Sequence, residues 1–188
     1  MNIALFYYDG FVEFEIALAL FLLKNEKILH FSLEKKQYQS YEGQIMVPQY
    51  SLSEVSPCEI DLLIIPGGDS TSLFNNIELK TWIEACVLNK GIIAGICGGA
   101  ELLAGLGLLD GKSCTAGTSG IYKDDPIFDI FSKCKISNSV VEMDGQYITS
   151  QGQGYAEFAS KLYHLSIGGN NPDTESAILK WLKNDRTN

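Results

Sequence analysis

A chain of 188 residues is long enough for one α/β domain with a sizeable core. Its 23 acidic and 14 basic residues give a formal net charge of −9, which argues against nucleic acid or an anionic membrane as a partner, because both need clustered Lys and Arg. The longest apolar run, at 16–23, is too short to span a bilayer.

Short apolar strands alternate with helical segments along the chain. In chain order, the pattern predicts a strand at 2–8, a helix at 12–26, a strand at 27–34, a hairpin at 38–55 turning near Glu42-Gly43, a strand at 60–68, a helix at 76–89, a strand at 91–96, a helix at 99–109, a strand at 112–116, a hairpin at 136–150 turning at Asp144-Gly145, and helices at 155–166 and 174–184. Such alternation is typical of a parallel sheet covered on both faces. We therefore expect one doubly wound domain over residues 1–188.

The five cysteines form no CxxC pair, and no cysteine and histidine have the spacing of a metal site. The first residues, "MNIALFYYDG", run straight into a strand pattern without a basic leader. We therefore expect a cytoplasmic protein with free thiols and no metal.

Three strand-to-helix junctions are candidates for the chemistry, because ligands bind at this rim of a doubly wound sheet. They read "YYDGFVE" at 7–13, "IIPGGDS" at 64–70 and "GICGGA" at 95–100. The side chains and glycine amides of these junctions should therefore lie close together.

Cys97 lies at the third junction, where a sharp turn typical of a nucleophile elbow would expose its side chain. The following helix N-terminus favours a thiolate with a lowered pKa. A small buried hydrophobe is the alternative interpretation. The amides of Gly68 and Gly98 are candidates for an oxyanion hole.

Glu15 is a charged residue inside the apolar segment "FEIALALFLL". It either complements the helix dipole in the first turn or is desolvated, with a raised pKa. In the second case a protonated Glu15 could donate a hydrogen bond to a Cys97 thiolate.

Together, "DGFVEFE" (9–15), "DLLIIPGGD" (61–69), "GIIAGICGGAELLAGLGLLDGK" (91–112) and "DGQYITSQGQGYAEFA" (144–159) make the chain similar to the ThiJ/PfpI superfamily. The resemblance implies a flavodoxin-like three-layer α/β/α sandwich, mostly parallel with a small β-hairpin, and usually homodimeric. It also implies that Cys97 is the reactive cysteine, Glu15 its protonated partner, and Gly68 and Gly98 the oxyanion-hole residues.

The sequence departs from this family at one position. Many members carry a histidine about twenty residues after the cysteine, where this chain has Ala116 and Gly117. His30, in a strand, is expected to be structural, and His164 to lie on the surface or at a helix end. Cys114 lies near the missing histidine, which leaves open a disulfide with Cys97.

Without a histidine base, a thiolate can still attack an aldehyde or isocyanide carbon, whereas amide hydrolysis must protonate a leaving amine. We therefore expect a small-molecule enzyme without a cofactor that acts on α-oxoaldehydes, glycation-type adducts or isocyanides. Alternatives are a redox sensor or protective chaperone that uses Cys97, and a peptidase or amidotransferase-like hydrolase.

Several further residues are expected near the site. Tyr122 is a candidate substitute for the missing polar group. We expect Phe11, Ala116, Gly117 and Tyr122 to line a pocket, and Asp9 and Asp69 to serve as turn or cap residues.

Overall fold

The computed structural model describes residues 1–169 and 171–184. Its strands are β1 (Asn2–Phe6), β2 (Lys27–Ser32), β3 (Tyr38–Gln39), β4 (Ile45–Met46), β5 (Tyr50–Ser51), β6 (Leu62–Ile65), β7 (Ile92–Ile96), β8 (Ser113–Cys114), β9 (Lys135–Ile136), β10 (Val141–Asp144) and β11 (Tyr147–Ser150). Its α-helices are α1 (Phe14–Leu22), α2 (Ile77–Leu88), α3 (Gly98–Gly105), α4 (Tyr155–Ser166) and α5 (Pro172–Leu182).

The central sheet has seven strands in the order β10-β11-β7-β6-β1-β2-β5. All neighbours run parallel except the edge strand β10, which pairs antiparallel with β11. From β1 the chain winds outward to β2 on one side and through β6, β7 and β11 on the other, as in flavodoxin-like folds. The predicted doubly wound sheet is therefore confirmed.

The helices cover both faces of this sheet. Helices α1, α4 and α5 pack together on one face, and right-handed crossovers place α2 and α3 on the other. Strand β6 and residues 3–6 of β1 are buried, as expected for strands covered on both sides. The molecule is thus a three-layer α/β/α sandwich.

Helices α1 and α3 are several residues shorter than predicted, and α2 is one residue shorter at each end. Helix α1 begins at Phe14 instead of residue 12, because the Val12 amide donates to Gly67 O (2.9 Å) and holds that residue in the preceding loop. Helix α3 ends at Gly105, just before Gly107 turns the chain with φ of +73°.

Both predicted hairpins are present, with changes in detail. Strands β3 and β4 pair antiparallel around the expected turn, but β5 leaves this hairpin and pairs parallel with β2. In the second hairpin Asp144 pairs with Tyr147, so the turn residues are Gly145-Gln146, one residue later than predicted. The Asp144 carboxylate accepts from the Ser113 amide (2.8 Å) and so remains part of the strand pairing.

The β3–β4 turn also fixes the start of α1. The Glu42 carboxylate accepts hydrogen bonds from the amides of Glu13 (3.0 and 3.1 Å) and Phe14 (3.2 Å). This satisfies free N–H groups of the first helical turn and places a negative charge at the positive end of the helix. Glu42 thereby anchors the turn of helix that carries Glu15. Within the described residues, no helix has the length and apolar character needed to cross a bilayer.

Candidate active site

Cys97 connects the end of β7 to the start of α3 in a strained conformation. Its backbone φ of 52° and ψ of −120° lie in a region that residues other than glycine rarely adopt. Its amide donates to Ser150 O (2.8 Å), and its carbonyl accepts from Ala100 N (3.0 Å). The backbone therefore forms the predicted sharp elbow, and the thiol is partly exposed.

The Glu15 carboxyl lies directly against Cys97. Glu15 is 4% exposed, and its Oε2 accepts a hydrogen bond from the Gly67 amide (3.0 Å). A Cβ on Gly67 would lie 2.0 Å from that oxygen and 2.9 Å from Cys97 Cβ. A Cβ on Gly152 would lie 2.6 Å from Glu15 Oε1 and 3.3 Å from Cys97 Sγ. The two glycines thus provide the space in which carboxyl and thiol meet.

The two predicted oxyanion-hole residues are also neighbours. A Cβ on Gly98 would lie 1.9 Å from Gly68 O and 3.0 Å from Gly68 N. The Ser70 hydroxyl donates to Gly98 O (2.8 Å) and ties the two loops together. The geometry brings Gly68 and Gly98 to one side of Cys97, and their role in binding an oxyanion remains a prediction.

The pKa values of Glu15 and Cys97 are both raised, whereas the sequence predicted a raised value for Glu15 in one interpretation and a lowered value for Cys97. Burial raises the pKa of Glu15 to about 7, although hydrogen bonds from Cys97 and Gly67 oppose the rise. Burial, followed by the negative charges of Glu15 and Glu101, raises the pKa of Cys97 to about 12. The prediction of a lowered thiol pKa is therefore wrong. The Gly98 N–H at the helix end lowers the pKa of Cys97, but burial and the nearby negative charges raise it by more.

These shifts change how a thiolate can form. Losing the thiol proton to solvent leaves two buried negative groups, whereas passing it from Cys97 to Glu15 leaves the charge of the pair unchanged. The buried phenol of Tyr8, which donates to Pro66 O (2.9 Å), is subject to the same field. Its pKa is raised well above the ordinary value by burial, then by Cys97, Glu15 and other acidic groups.

Glu101, which we did not predict as a site residue, belongs to the same acidic cluster. It is half-buried in the first turn of α3. Burial, then the charges of Asp125, Glu15 and Asp69, raises its pKa to about 7. The available signal was its spacing: Glu101 follows Cys97 by four residues, one helical turn along α3.

Comparison with known proteins identifies the family of this chain. Residues 1–165 match the sequence profile of the DJ-1/PfpI family. The chain belongs to the DJ-1/PfpI family. This confirms the resemblance to the ThiJ/PfpI superfamily seen in the sequence.

Relatives within the DJ-1/PfpI family carry several names. Deglycase TK1284 of Thermococcus kodakarensis is 25% identical over 157 residues, which cover 82% of this chain and 92% of that protein. Protein dj-1beta of Drosophila melanogaster is 30% identical over 120 residues, 62% of each protein.

Solved structures share the fold at low identity. The crystal structure of Drosophila DJ-1beta has a TM-score of 0.79 with 24% identity and 97% coverage of both chains. The DJ-1 superfamily protein Atu0886 from Agrobacterium tumefaciens has a TM-score of 0.76 with 24% identity, and the match covers 99% of this chain and 100% of that one.

The backbone turn at Gly117 leaves no space for a side chain at the position where the family resemblance implies a histidine. Gly117 O accepts from the Gly152 amide (2.9 Å), and Gly117 has φ of +67°. Ala116 is fully buried, so it contributes to the core and not to a pocket wall. Tyr122 is 52% exposed, and its hydroxyl donates to Ser119 O (3.1 Å) within its own loop.

Other predicted neighbours of the site are structural. Phe11 is 1% exposed and packs edge-on against Tyr7 with ring centroids 4.9 Å apart, so it supports the loop from within the core. Asp9 Oδ1 accepts from Gln39 N (3.2 Å). Asp69 Oδ1 accepts from the amide (3.1 Å) and hydroxyl (2.6 Å) of Thr71, which lower its pKa. Both aspartates are turn residues, as predicted.

The histidines and the second cysteine lie elsewhere. His30 Nδ1 hydrogen-bonds with the Tyr7 hydroxyl (2.8 Å), and burial lowers the pKa of His30, consistent with the structural role predicted for it. His164 is half-buried in the last turn of α4. The Cys114 thiol contacts Cys134 instead of Cys97, and all five cysteines are free. Across residues 1–169 and 171–184, no group of three or more His, Cys, Asp or Glu is arranged to hold a metal.

Proposed function

We propose that this DJ-1/PfpI protein adds the Cys97 thiol to small electrophilic carbon atoms, with α-oxoaldehydes and glycation-type adducts as the preferred substrate class. The observation that carries the proposal is the Cys97–Glu15 pair. A thiol on a strained elbow lies against a buried carboxyl whose pKa is about 7. Near neutral pH part of the Glu15 population is ionised, so Glu15 can accept the Cys97 thiol proton while the sulfur attacks.

The addition step needs only groups that are present in the chain. The Cys97 thiol proton passes to the Glu15 carboxylate while the sulfur attacks the aldehyde carbon. The C–S bond forms as the carbonyl π bond breaks, and the negative charge develops on oxygen. The Gly68 and Gly98 amides stabilise this oxyanion, and Glu15 then donates the proton to give a hemithioacetal.

Two further observations support the proposal. Because Gly67 and Gly152 carry no side chains, the Glu15 carboxyl can lie directly against the Cys97 thiol. Deglycase TK1284 of Thermococcus kodakarensis and Deglycase PYRAB04690 of Pyrococcus abyssi are relatives at 25% and 28% identity. Isocyanides are the second substrate class, because their carbon also accepts a thiolate. We further propose that the chain acts in the cytoplasm, the location expected from its cysteines, and as a homodimer, as the resemblance implies.

Turnover of a panel of electrophiles tests the proposal. The panel contains methylglyoxal, phenylglyoxal, a glycated N-acetylcysteine and cyclohexyl isocyanide. We expect turnover to disappear in Cys97→Ser, to fall by about 100-fold or more in Glu15→Gln, and to be unchanged in Cys58→Ser, whose thiol is exposed and free. Wild-type turnover no higher than that of Cys97→Ser for every compound would refute it.

A redox sensor is the second candidate function, and the Glu15 side chain favours it. When protonated, Glu15 can donate a hydrogen bond to an oxidised Cys97, such as a sulfinate. Mass spectrometry after mild peroxide treatment should then show sulfinate concentrated at Cys97. Equal oxidation of Cys97 and the exposed Cys58 would contradict this function. A peptidase is less favoured, because His30 is bonded to Tyr7 and His164 lies in the last turn of α4.

A further inference from the structure

At the position where the family resemblance implies a histidine, this chain has Gly117, and the carboxyl group of Glu101 lies beside it. Gly117 follows Cys97 by twenty residues, and a Cβ at Gly117 would lie 3.8 Å from Glu101 Oε1. The same Cβ would lie 2.5 Å from Gly120 O, and the φ of +67° would strain any side chain. The loop therefore has no space for a side chain at residue 117. The nearest side-chain group to that position is the carboxyl group of Glu101, on α3.

Glu101 and Cys97 flank the same backbone junction. Gly117 O holds the Gly152 amide (2.9 Å), and a Cβ on Gly152 would lie 3.3 Å from Cys97 Sγ. On the other side the Glu101 amide donates to Cys97 O (3.2 Å). The Gly117–Gly152 contact thus links the loop beside the Glu101 carboxyl to the loop beside the Cys97 sulfur.

The surroundings of Glu101 suit proton exchange more than ion pairing. Among the residues that the structure describes, no Lys, Arg or His forms a salt bridge with Glu101. The charged groups that act on it are Asp125, Glu15 and Asp69, and with burial they raise its pKa to about 7. A carboxyl in that range can both take and return a proton at neutral pH.

Building on the proposed function, we propose that Glu101 is a second acid–base catalyst, which moves the carbon-bound proton of the Cys97 hemithioacetal. The Glu101 carboxylate removes the C1 proton, and the C1–H electron pair becomes the C1=C2 bond as negative charge passes to the C2 oxygen. The Glu15 carboxylate carries the C1 hydroxyl proton to that oxygen. Glu101 then returns its proton to C2, and C1 becomes the thioester carbonyl.

The sequence of steps balances within the bound molecule. C1 is oxidised and C2 is reduced, so no external oxidant or reductant is needed. Water then hydrolyses the thioester, which releases a 2-hydroxy acid and restores the Cys97 thiol. Glu15 thus moves the oxygen-bound protons, and Glu101 moves the carbon-bound proton.

The test separates adduct formation from rearrangement in the full chain with methylglyoxal. Adduct formation is measured as the mass added to the intact protein, and absent from Cys97→Ser, by native mass spectrometry of the unquenched mixture, and rearrangement as release of the hydroxy acid. For Glu101→Gln we expect adduct formation within about two-fold of wild type and hydroxy acid release lower by about 100-fold or more. Methylglyoxal deuterated at C1 should slow hydroxy acid release by the wild type. Glu84→Gln, on an exposed face of α2, is the matched control and should match wild type.

Two further variants keep the test decisive if Glu101→Gln folds poorly. Glu101→Asp keeps the carboxyl and should retain partial activity, and added formate should restore hydroxy acid release by Glu101→Ala. Wild-type rates in Glu101→Gln, no response of Glu101→Ala to formate, or a wild type that forms adduct but no hydroxy acid would each overturn the role of Glu101. A wild type that forms no Cys97 adduct with any aldehyde would instead refute the proposed function.

Discussion

Replacing Glu15 with glutamine is expected to stabilise the protein, and more strongly at alkaline pH. Folding raises the pKa of this carboxyl from 4.5 to about 7, mainly through burial. Between these values the folded state binds more protons than the unfolded state, so the stability of the wild type falls as pH rises. Glutamine keeps an oxygen for the Gly67 amide and carries no charge, so it avoids this loss.

The size of the effect follows from the shift. At about 1.36 kcal/mol for each pH unit, the ionised Glu15 costs the folded state about 3 kcal/mol above pH 7. At pH 5.5 the same relation gives a cost of about 1.4 kcal/mol, so the advantage of glutamine should grow by about 2 kcal/mol between pH 5.5 and 8.5. Both values lie above the sequence pI of about 4.7, where the protein would be least soluble.

Urea unfolding of the wild type and Glu15→Gln at both pH values measures this difference. Glu84→Gln, which removes an exposed carboxylate, should change the unfolding free energy by less than about 0.5 kcal/mol at either pH. An advantage of Glu15→Gln that is independent of pH, or that shrinks as pH rises, would show that the ionised Glu15 is not desolvated.

Three other substitutions test the geometry of the corner. Gly152→Ala would place a Cβ 2.6 Å from Glu15 Oε1 and 3.3 Å from Cys97 Sγ, so iodoacetamide labelling of Cys97 should slow by about ten-fold; an unchanged rate would contradict the contact. Cys97→Gly should be more stable to urea than Cys97→Ala by about 1 kcal/mol, because glycine relieves the positive φ; the reverse order would exclude strain at the elbow. Ser70→Ala removes the hydrogen bond to Gly98 O and should lower the unfolding free energy by about 1–2 kcal/mol; no change in urea unfolding would show that this bond contributes nothing.

The sheet and the elbow were predictable because their signals are local. Apolar strands bounded by glycine and proline identify β6 and β7, and a cysteine before two glycines identifies the turn. The proximity of Glu15 to Cys97 was predictable in outline because both follow strands at the same rim of the sheet. The resemblance to a known family then specified the pairing.

The remainder depends on contacts between distant segments. The direction of the Cys97 pKa shift depends on burial and then on the negative charges of Glu15 and Glu101, whereas the N–H group at the helix end alone would lower the pKa. From the sequence alone, Glu101 is an ordinary carboxylate in the first turn of a helix. Only the structure shows that the loop at Gly117 lies beside it. Glu42 lies in a hairpin turn, and nothing in the local sequence shows that it caps α1.

The closed turn at Gly117 also bears on how this chain could evolve. A histidine introduced there would place its Cβ 2.5 Å from Gly120 O on a backbone with φ of +67°. One substitution therefore cannot restore the cysteine–histidine arrangement, since the loop from 117 to 120 would have to be rebuilt at the same time. Glu15 and Glu101 lie in helices with ordinary backbone geometry, so substitutions of these carboxyl groups meet no such barrier and are the simpler way to change the surroundings of Cys97.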